Sequence, residues 1–331
     1  MTPARPEDPE MTSATSLPPA EAAEPLATVT ICTRNRSASL AMTLDSLVLA
    51  ARRAEARTGL PFEVVIVDNG STDDTAKVVA SYADRLPIRC INQPVPGLSN
   101  ARNAGLDAAR GRVILWTDDD VLVDEDWLAA YLEAFRDHPE VAVFGGRAVP
   151  RYNTPRSEWF IEQEAQLGSL LAIRDTPSWT EVKPGQLPFG LNYAVRRDVQ
   201  LRHRYDPNLG VAPGRRIGGE ESTMLRAALA EGGKGRWVWG ATVYHLIPAQ
   251  RQSMAYILDY YRSQGFLYPR FDVTAPPKAA IPRATAMIVH KRIMAAARRM
   301  AGRPWVSDYV EHARWRGTLR RLRYPDDMGR A

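Results

Sequence analysis

Four strand-like runs of apolar residues alternate with helical patterns in the first part of the chain, and this alternation limits the folds available to it. The strand-like runs are Thr28–Thr33, Phe62–Asp68, Ile88–Asn92 and Val113–Thr117, and the helical patterns after them are Leu40–Arg57, Asp74–Ala83, Leu98–Ala109 and Asp126–Asp137. Consecutive strand–helix units are typical of an α/β fold with a mostly parallel sheet and helices on both faces. Ligands of such sheets bind beyond the carboxyl ends of the strands.

Acidic residues stand at two of these strand ends. Asp68 ends the second run, and the consecutive acids Asp118, Asp119 and Asp120 follow the fourth. Like charges this close repel one another unless a cation neutralises them, and Mg²⁺ or Mn²⁺ takes oxygen ligands while keeping positions open for substrate phosphates. The pattern therefore predicts a metal–diphosphate site. A solvated acidic turn is the alternative, but residues 124–126 already supply acids to the first turn of the next helix.

The positive charge of the chain is concentrated near its C-terminus. With 331 residues, 45% of them hydrophobic, the chain can bury one large core or two smaller ones. From Lys278 onward there are thirteen Lys and Arg against four Asp and Glu, although the net charge of the whole chain is only +5. No base-stacking motif accompanies this basic part, so we expect no nucleic acid and favour an anionic membrane surface as its partner.

Cysteine usage and the distribution of apolar residues indicate an intracellular protein. Cys32 and Cys90 lie in apolar runs without a close-spaced partner, which predicts buried thiols in a reducing compartment. No apolar stretch is long enough to span a membrane, and the N-terminus has no signal-peptide pattern. We expect a cytoplasmic protein, located at the inner face of the plasma membrane if its basic part binds there.

Composition divides the chain into three predicted parts. Residues 1–26 are rich in Pro, Glu, Ala, Thr and Ser without apolar periodicity, so we expect a disordered leader. Residues 27–248 hold the alternating pattern and form the predicted catalytic domain. Residues 249–331 contain two further helical patterns, Met254–Gln264 and Ala284–Met300, and form a predicted basic helical extension.

The helical pattern at 284–300 is amphipathic. Its apolar face groups Ala286, Val289, Ile293, Met294, Ala297 and Met300, and its basic face groups Lys291, Arg292, Arg298 and Arg299. Basic amphipathic helices are typical of membrane surfaces. The alternative is a helix that docks on the catalytic domain and leaves its Lys and Arg in water.

Four motifs occur in an order that resembles a known family. They are Thr30–Arg36, Val67–Asp73, Pro96–Gly105 and Asp118–Asp120, and together they resemble glycosyltransferase family 2 from about Thr28 to His245. The resemblance implies a GT-A fold. It also implies metal-dependent, inverting transfer of a sugar from a nucleotide-diphosphate donor to a saccharide or lipid-linked hydroxyl acceptor, in the synthesis of cell-surface polysaccharide or glycolipid, with Mn²⁺ or Mg²⁺ as cofactor.

The same resemblance implies roles for individual residues. The donor-binding set is Thr33, Arg34, Arg36, Asp68, Asn69, Arg102, Asp118, Asp119, Gly190 and Asn192. Within it, Asp68 would meet the base and Asp118 the ribose, whereas Asp120 and His245 would be metal ligands. Because successive strand side chains alternate between faces, we expect Asp119 to point away from the ligand despite its place in the motif.

A base is needed to take the proton of the acceptor hydroxyl in an inverting transfer. Glu220 and Glu221 stand where the family usually has Glu-Asp, and its second acid, the base, maps onto Glu221. Glu in place of Asp lengthens the arm, so Glu220 stays the alternative. Either residue could instead stabilise the N-terminus of a helix.

Two other functions are consistent with parts of this pattern. A sugar-nucleotide pyrophosphorylase shares the architecture and the metal, but Thr33–Arg36 is not the Gly-rich phosphate loop expected of one. A catalytically silent scaffold that binds carbohydrate or membrane is the other alternative. The intact acids at Asp68, Asp118, Asp120 and Glu221 count against it.

Overall fold

An eight-stranded mixed sheet runs through the computed structural model, which describes residues 24–325. The strands are β1 (Ala27–Thr33), β2 (Phe62–Asp68), β3 (Ile88–Asn92), β4 (Val113–Asp118), β5 (Val121–Val123), β6 (Val141–Tyr152), β7 (Asn192–Arg196), β8 (Val211–Ala212), β9 (Arg215–Arg216) and β10 (Lys234–Ile247). The large sheet has the order β3-β2-β1-β4-β7-β6-β10-β5, and β8 pairs with β9 in a separate hairpin. The predicted leader lies outside the described residues except for its last three.

Helices cover both faces of this sheet, as the sequence predicts. They are α1 (Ser37–Thr58), α2 (Thr75–Ala80), α3 (Leu98–Ala108), α4 (Trp127–Asp137), α5 (Glu158–Gln163), α6 (Arg197–Arg202), α7 (Glu220–Ala230), α8 (Met254–Leu267), α9 (Ala280–Met300) and α10 (Val306–Arg323). Alternate residues of β2 separate the two faces: Val64 and Ile66 pack in one cluster with α1 and α4, whereas Val65 and Val67 pack with Ala101 of α3.

The sheet is mostly parallel, and its two exceptions help to build the site. Strand β7 lies between β4 and β6 and pairs antiparallel with both. Strand β5 pairs antiparallel with β10, so that Val121 lies opposite His245. The first exception brings residues 190–192 to the end of β4, and the second brings His245 beside the aspartates that follow β4.

The C-terminal helices pack against one another at two glycines. A Cβ atom on Gly265 of α8 would overlap the carbonyl oxygen of Arg314, and one on Gly317 of α10 would overlap that of Arg262. Glycine is therefore required at both positions for α8 and α10 to approach this closely. Helix α10 corresponds to none of the helical patterns predicted from the sequence.

Helix α9 turns its apolar face outward. Lys291 and Arg298 point towards α10, where their side chains lie 2.8 Å and 3.2 Å from the Asp308 carboxylate. Val289, Ile293 and Met300 are 55%, 61% and 84% exposed. Arg292, Arg298 and Arg299 are exposed as well, so apolar and basic side chains of α9 are both in water, and its membrane-surface role stays a prediction. Within residues 24–325, no helix has the length and apolar character to cross a membrane.

Candidate active site

A cavity of about 430 Å³ lies at the carboxyl ends of β1 and β4. Its walls come from the β1 end, the start of α3, the β4 end, the β8–β9 hairpin and the turn after β10. The lining residues are Cys32, Thr33, Arg34, Arg36, Asn69, Gly97, Leu98, Ala101, Asp118, Asp119, Asp120, Val211, Ala212, Pro213 and Arg251. Three carboxylates and three guanidinium groups thus share one concave surface.

The three aspartates have different partners. Asp118 is partly exposed, with Oδ1 3.6 Å from the Arg102 guanidinium. Asp119 is buried and accepts hydrogen bonds from the Thr33 hydroxyl (2.7 Å) and from Arg36 (2.8 Å). Asp120 accepts from Arg36 (2.9 Å). Because β4 ends at Asp118, strand alternation does not extend to Asp119, which is part of the cavity wall, and its orientation towards a ligand stays a prediction.

These partners shift the acidities of the carboxyl groups in opposite directions. Partial burial of Asp118 and nearly complete burial of Asp119, each reinforced by the neighbouring Asp120 carboxylate, raise the pKa of both carboxyl groups to about 6. Burial also opposes the charge of Asp120, but Arg251 and Arg36 outweigh it and hold the pKa of Asp120 below its usual value. The site therefore keeps Asp120 ionised by surrounding it with positive charge.

The donor atoms of Asp120 and His245 fit a divalent cation. His245 Nδ1 lies 3.0 Å from the carbonyl oxygen of Leu171, which can only accept, so Nδ1 carries the proton. Nε2 then carries a lone pair, which contacts the Arg251 guanidinium and could coordinate a cation in its place, and Nε2 lies 3.9 Å from Asp120 Oδ1. Carboxylate oxygen and neutral imidazole suit Mn²⁺. No cluster of three or more His, Cys, Asp or Glu suited to a metal ion occurs within residues 24–325, so water and phosphate would complete the coordination.

Arg102 and Glu220 form a buried ion pair behind the cavity. Arg102 Nη1 donates to Glu220 Oε1 at 2.8 Å, and the side chains are 3% and 5% exposed. Arg102 also donates to the carbonyl oxygen of Gly190 (3.2 Å), where an added Cβ would lie 2.8 Å from Nη2. Burial and the adjacent Glu221 raise the pKa of Glu220 to about 8, although Arg102 acts in the other direction. Arg102 thus lies close to the Asp118 carboxylate but does not itself line the cavity.

Glu221 faces away from Glu220. It lines a second cavity of about 180 Å³, together with residues that include Arg174, Phe189, Tyr260 and Tyr268. The two glutamates at the start of α7 therefore have separate surroundings. The Glu220 carboxylate is bound by Arg102, whereas the Glu221 carboxylate is open to a cavity whose walls come from the 185–189 segment and α8.

Asn192 and Asp68, which the sequence predicts to bind the donor, do not line the large cavity. Asn192 is buried, and its amide donates to the carbonyl oxygens of Arg147 and Ala241 while its oxygen accepts from Trp127 and Tyr131. All four hydrogen-bonding positions are used inside the protein, so the prediction that it lines a ligand pocket is wrong. Asp68 accepts from the backbone N–H of Ser71 (2.8 Å) and is outside the lining of the large cavity.

Two parts of the cavity wall were missing from the sequence analysis. The β8–β9 hairpin contributes Val211, Ala212 and Pro213, and the turn after β10 contributes Arg251. The Pro213-Gly214 pair is a turn signal that could have indicated the hairpin. Arg251 has no such signal, because its position depends on the path of the chain after β10.

The sheet order, the covering helices and the acidic cavity define a protein with the GT-A fold. Two solved structures share it: the mannosyltransferase PcManGT from Pyrobaculum calidifontis in complex with GDP-Man and Mn²⁺ (TM-score 0.57, 17% identity, 96% of this chain and 92% of that one), and S. aureus TarS 1-349 (TM-score 0.51, 16% identity, 91% and 92%). Residues 28–187 match the family described as Glycosyl transferase family 2. The matched segment, 160 of the 331 residues, belongs to glycosyltransferase family 2, as its motifs predict.

Three curated proteins with similar sequences are named for sugar transfer or for succinoglycan biosynthesis. A glucosyl-dolichyl phosphate glucuronosyltransferase of Haloferax volcanii is 26% identical over 187 residues, which are 55% of this chain and 56% of the relative. A validoxylamine A glucosyltransferase of Streptomyces hygroscopicus is 32% identical over 172 residues, with 50% and 40% covered. The succinoglycan biosynthesis protein ExoM of Rhizobium meliloti is 29% identical over 233 residues, or 69% of each chain. The chain spans about half the length of the first two relatives.

Proposed function

We propose that the protein is a metal-dependent inverting glycosyltransferase, which transfers a sugar from a nucleotide-diphosphate donor to a hydroxyl acceptor. The observation that carries this proposal is the meeting of Asp118 and Asp120, at the end of β4, with His245 from β10 and Arg36 from the β1 end. These groups bring metal ligands, acceptors for sugar hydroxyls and positive charge for phosphates together at one cavity, where the buried His245 contacts the lining residue Arg251.

The residues of the cavity have distinct proposed tasks. Asp120 and His245 would hold the Mn²⁺ or Mg²⁺ ion, whose positive charge, when it is bound, stabilises the departing diphosphate. Asp118 is partly exposed and would accept hydrogen bonds from the ribose hydroxyls. Arg34 and Arg36 would add positive charge beside the phosphates, and Thr33 holds Asp119 in place through its hydroxyl.

Glu221 is the proposed base. An inverting transfer needs a carboxylate that reaches the acceptor hydroxyl from the face opposite the leaving diphosphate. The Glu221 carboxylate lines a cavity separate from the one that contains the aspartates, whereas the Glu220 carboxylate is engaged by Arg102. Glu220 is therefore proposed to position Arg102 behind Asp118, and Glu221 to accept the proton.

The names of relatives and neighbours support the donor and acceptor classes. Two structures of the fold carry GDP-Man with Mn²⁺ and UDP-GlcNAc, and ExoM is named for succinoglycan biosynthesis. The relative from Haloferax volcanii is named for a dolichyl phosphate-linked substrate. We propose that this chain uses a nucleotide-diphosphate sugar and a saccharide or lipid-linked acceptor in polysaccharide or glycolipid synthesis.

Helix α9 supports a location at an anionic membrane surface. Its exposed face combines Val289, Ile293 and Met300 with the exposed basic residues Arg292 and Arg299. Such a helix lies in the interface plane, with apolar side chains among the lipid headgroups and basic side chains near anionic lipids. We propose a peripheral protein at the inner face of the plasma membrane.

A thermal-shift panel tests the proposed activity. UDP-, GDP- and dTDP-sugars are each added with and without Mn²⁺, because a ligand that binds the native state raises its melting temperature. One nucleotide class should stabilise the protein, and Mn²⁺ should enlarge the shift. The matched variant Asp120→Asn should lose the Mn²⁺ contribution. A melting temperature that no nucleotide sugar changes would remove the proposal.

A further inference from the structure

The guanidinium group of Arg251 lies between the two proposed metal ligands. Its Nη1 contacts His245 Nε2, and its Nη2 donates to Asp120 Oδ2 at 2.8 Å. Because His245 Nδ1 carries the proton, Nε2 has one lone pair, and Arg251 uses it. A metal ion bound by His245 needs that same lone pair, so Arg251 and the ion exclude each other from this nitrogen.

Two polar contacts hold the Arg251 side chain, which is 18% exposed, in this position. Arg251 lies on the short turn formed by Ala249–Gln252 between β10 and α8. Within residues 24–325, the hydrogen bonds of its guanidinium are those to His245 and Asp120. The two residues before it are exposed. Its long side chain can therefore leave the ligand pair by changing rotamer, without unfolding the turn.

The large cavity offers the displaced guanidinium a new partner. Arg251 already lines this cavity together with Arg34 and Arg36, and it shares Asp120 Oδ2 with Arg36. A nucleoside diphosphate bound there would bring two phosphates into a site whose existing cations are guanidinium groups. Guanidinium groups bind phosphate oxygens strongly because they can donate two parallel hydrogen bonds.

We propose that Arg251 is an exchangeable internal cation. In the donor-free protein, Arg251 neutralises Asp120 and occupies the lone pair of His245 Nε2. When the metal ion and the donor bind, Arg251 releases Asp120 and His245 to the metal ion and binds the donor diphosphate. The exchange makes metal binding depend on the donor, because the metal alone must displace a charged hydrogen-bonding group that then has no phosphate to bind. This inference rests on the proposed metal site.

Mn²⁺ affinity without nucleotide is the direct test. The full chain and the variant Arg251→Met are titrated with Mn²⁺ and followed by electron paramagnetic resonance of the free ion. Arg251→Met should bind Mn²⁺ about tenfold more tightly, since a charge-assisted hydrogen bond no longer competes. Arg53→Met removes one positive charge from an exposed pair with Asp126 and should leave the affinity unchanged. Arg251→Gln serves as a second variant if the first folds poorly.

Nucleotide binding tests the second half of the exchange. At saturating Mn²⁺, calorimetry with UDP and with GDP should show that Arg251→Met binds the preferred nucleotide about tenfold more weakly than the wild type. Addition of that nucleotide should tighten Mn²⁺ binding much more in the wild type than in the variant. In a His245→Ala background, Arg251→Met should raise Mn²⁺ affinity by a smaller factor, because the contested lone pair is gone.

The outcomes separate this inference from the proposed function. Mn²⁺ binding to neither the wild type nor Arg251→Met would overturn the metal site and the exchange together. Equal Mn²⁺ affinities in the two proteins would overturn the exchange and leave the metal site standing. Equal nucleotide affinities would show that Arg251 does not move to the diphosphate, which also overturns the exchange.

Discussion

Arg102 and Glu220 are 118 positions apart in the sequence, yet their side chains meet in a buried ion pair of 2.8 Å. The pair joins α3 to the first turn of α7 and holds the Arg102 guanidinium 3.6 Å from Asp118. Helix α3 carries part of the cavity wall and α7 carries the proposed base. One interaction therefore fixes the two sides of the candidate active site relative to each other.

Removal of Arg102 should destabilise the protein strongly. Arg102→Met leaves the Glu220 carboxyl buried without its partner, and above pH 8, where Glu220 of the wild type is ionised, we expect the free energy of unfolding to fall by about 3 to 5 kcal/mol in urea titrations. The double variant Arg102→Met with Glu220→Met should recover much of this loss. Arg204→Met, which breaks an exposed pair with Asp107, should cost about 1 kcal/mol or less. A similar small loss for Arg102→Met would contradict the prediction.

Glu220 should make stability depend on pH. Its pKa is about 8 in the folded protein, above the ordinary value of 4.5, so folding takes up a proton between these values. The contribution of Glu220 to stability is therefore complete below about pH 4.5 and is lost as the pH rises towards 8. Urea titrations at several pH values should show that the wild type loses stability relative to Glu220→Gln across this range. A constant difference between the two proteins would be evidence against the raised pKa.

Asp120 should be indispensable for activity. Asp120→Ala removes the proposed carboxylate ligand, and we expect donor hydrolysis and transfer each to fall about 1,000-fold or more, because several kcal/mol of charge stabilisation are lost. The measurement is nucleotide release with and without acceptor in Mn²⁺. Asp126→Asn, at an exposed surface pair with Arg53, should retain wild-type rates. Full activity of Asp120→Ala would remove this residue from the metal site.

Glu221→Gln should separate donor binding from transfer. The amide keeps the shape of the side chain but cannot accept the proton, so transfer should fall about 100-fold to 10,000-fold while the thermal shift caused by the donor is unchanged. Steady-state transfer and thermal shift are measured on the same preparation. If Glu220→Gln loses transfer and Glu221→Gln keeps it, the base is Glu220.

The outer face of α9 should bind vesicles that contain anionic lipid. Ile293→Ser removes a side chain that is 61% exposed, so it should reduce sedimentation with such vesicles about tenfold while the melting temperature stays the same. Leu49→Ser on α1, whose side chain is 48% exposed, is the matched control and should have little effect on vesicle binding. Equal sedimentation of the two variants would argue against a membrane role for α9.

The local pattern of the sequence was sufficient to predict the sheet and the acidic residues at the ends of its strands. The apolar runs of β2 and β3 have the same bounds in the sequence analysis and in the structure. Five of the seven residues of β2 are buried between layers of helices, whereas β3 is an edge strand on which Cys90 and Asn92 are exposed. The triple aspartate could be located because β4 ends there. His245 could be assigned through the resemblance, and β5 explains its position physically, since that short strand aligns it with Val121.

Other features depend on contacts that spacing along the chain does not reveal. Asn192 matches a motif, but its partners come from α4, β6 and β10, so its interior role emerges only when those elements meet. Arg251 follows no recognisable pattern, and the direction of the turn after β10 places it. Helix α10 buries Val306, Val310 and Ala313 at helical spacing, but the frequent charged residues between them obscure the periodicity.

The packing of α8 and α10 has a consequence for any shortened version of this protein. Ile257, Tyr261, Val306 and Val310 share one buried cluster with Phe160, Leu167, Leu171 and Ile247. A chain that stopped at residue 248 would open this cluster to water and leave the segment around α5 without a covering layer. Fragments designed for expression or crystallisation should therefore keep the C-terminal helices, because the segment that matches the family model does not contain all the side chains that cover its own interior.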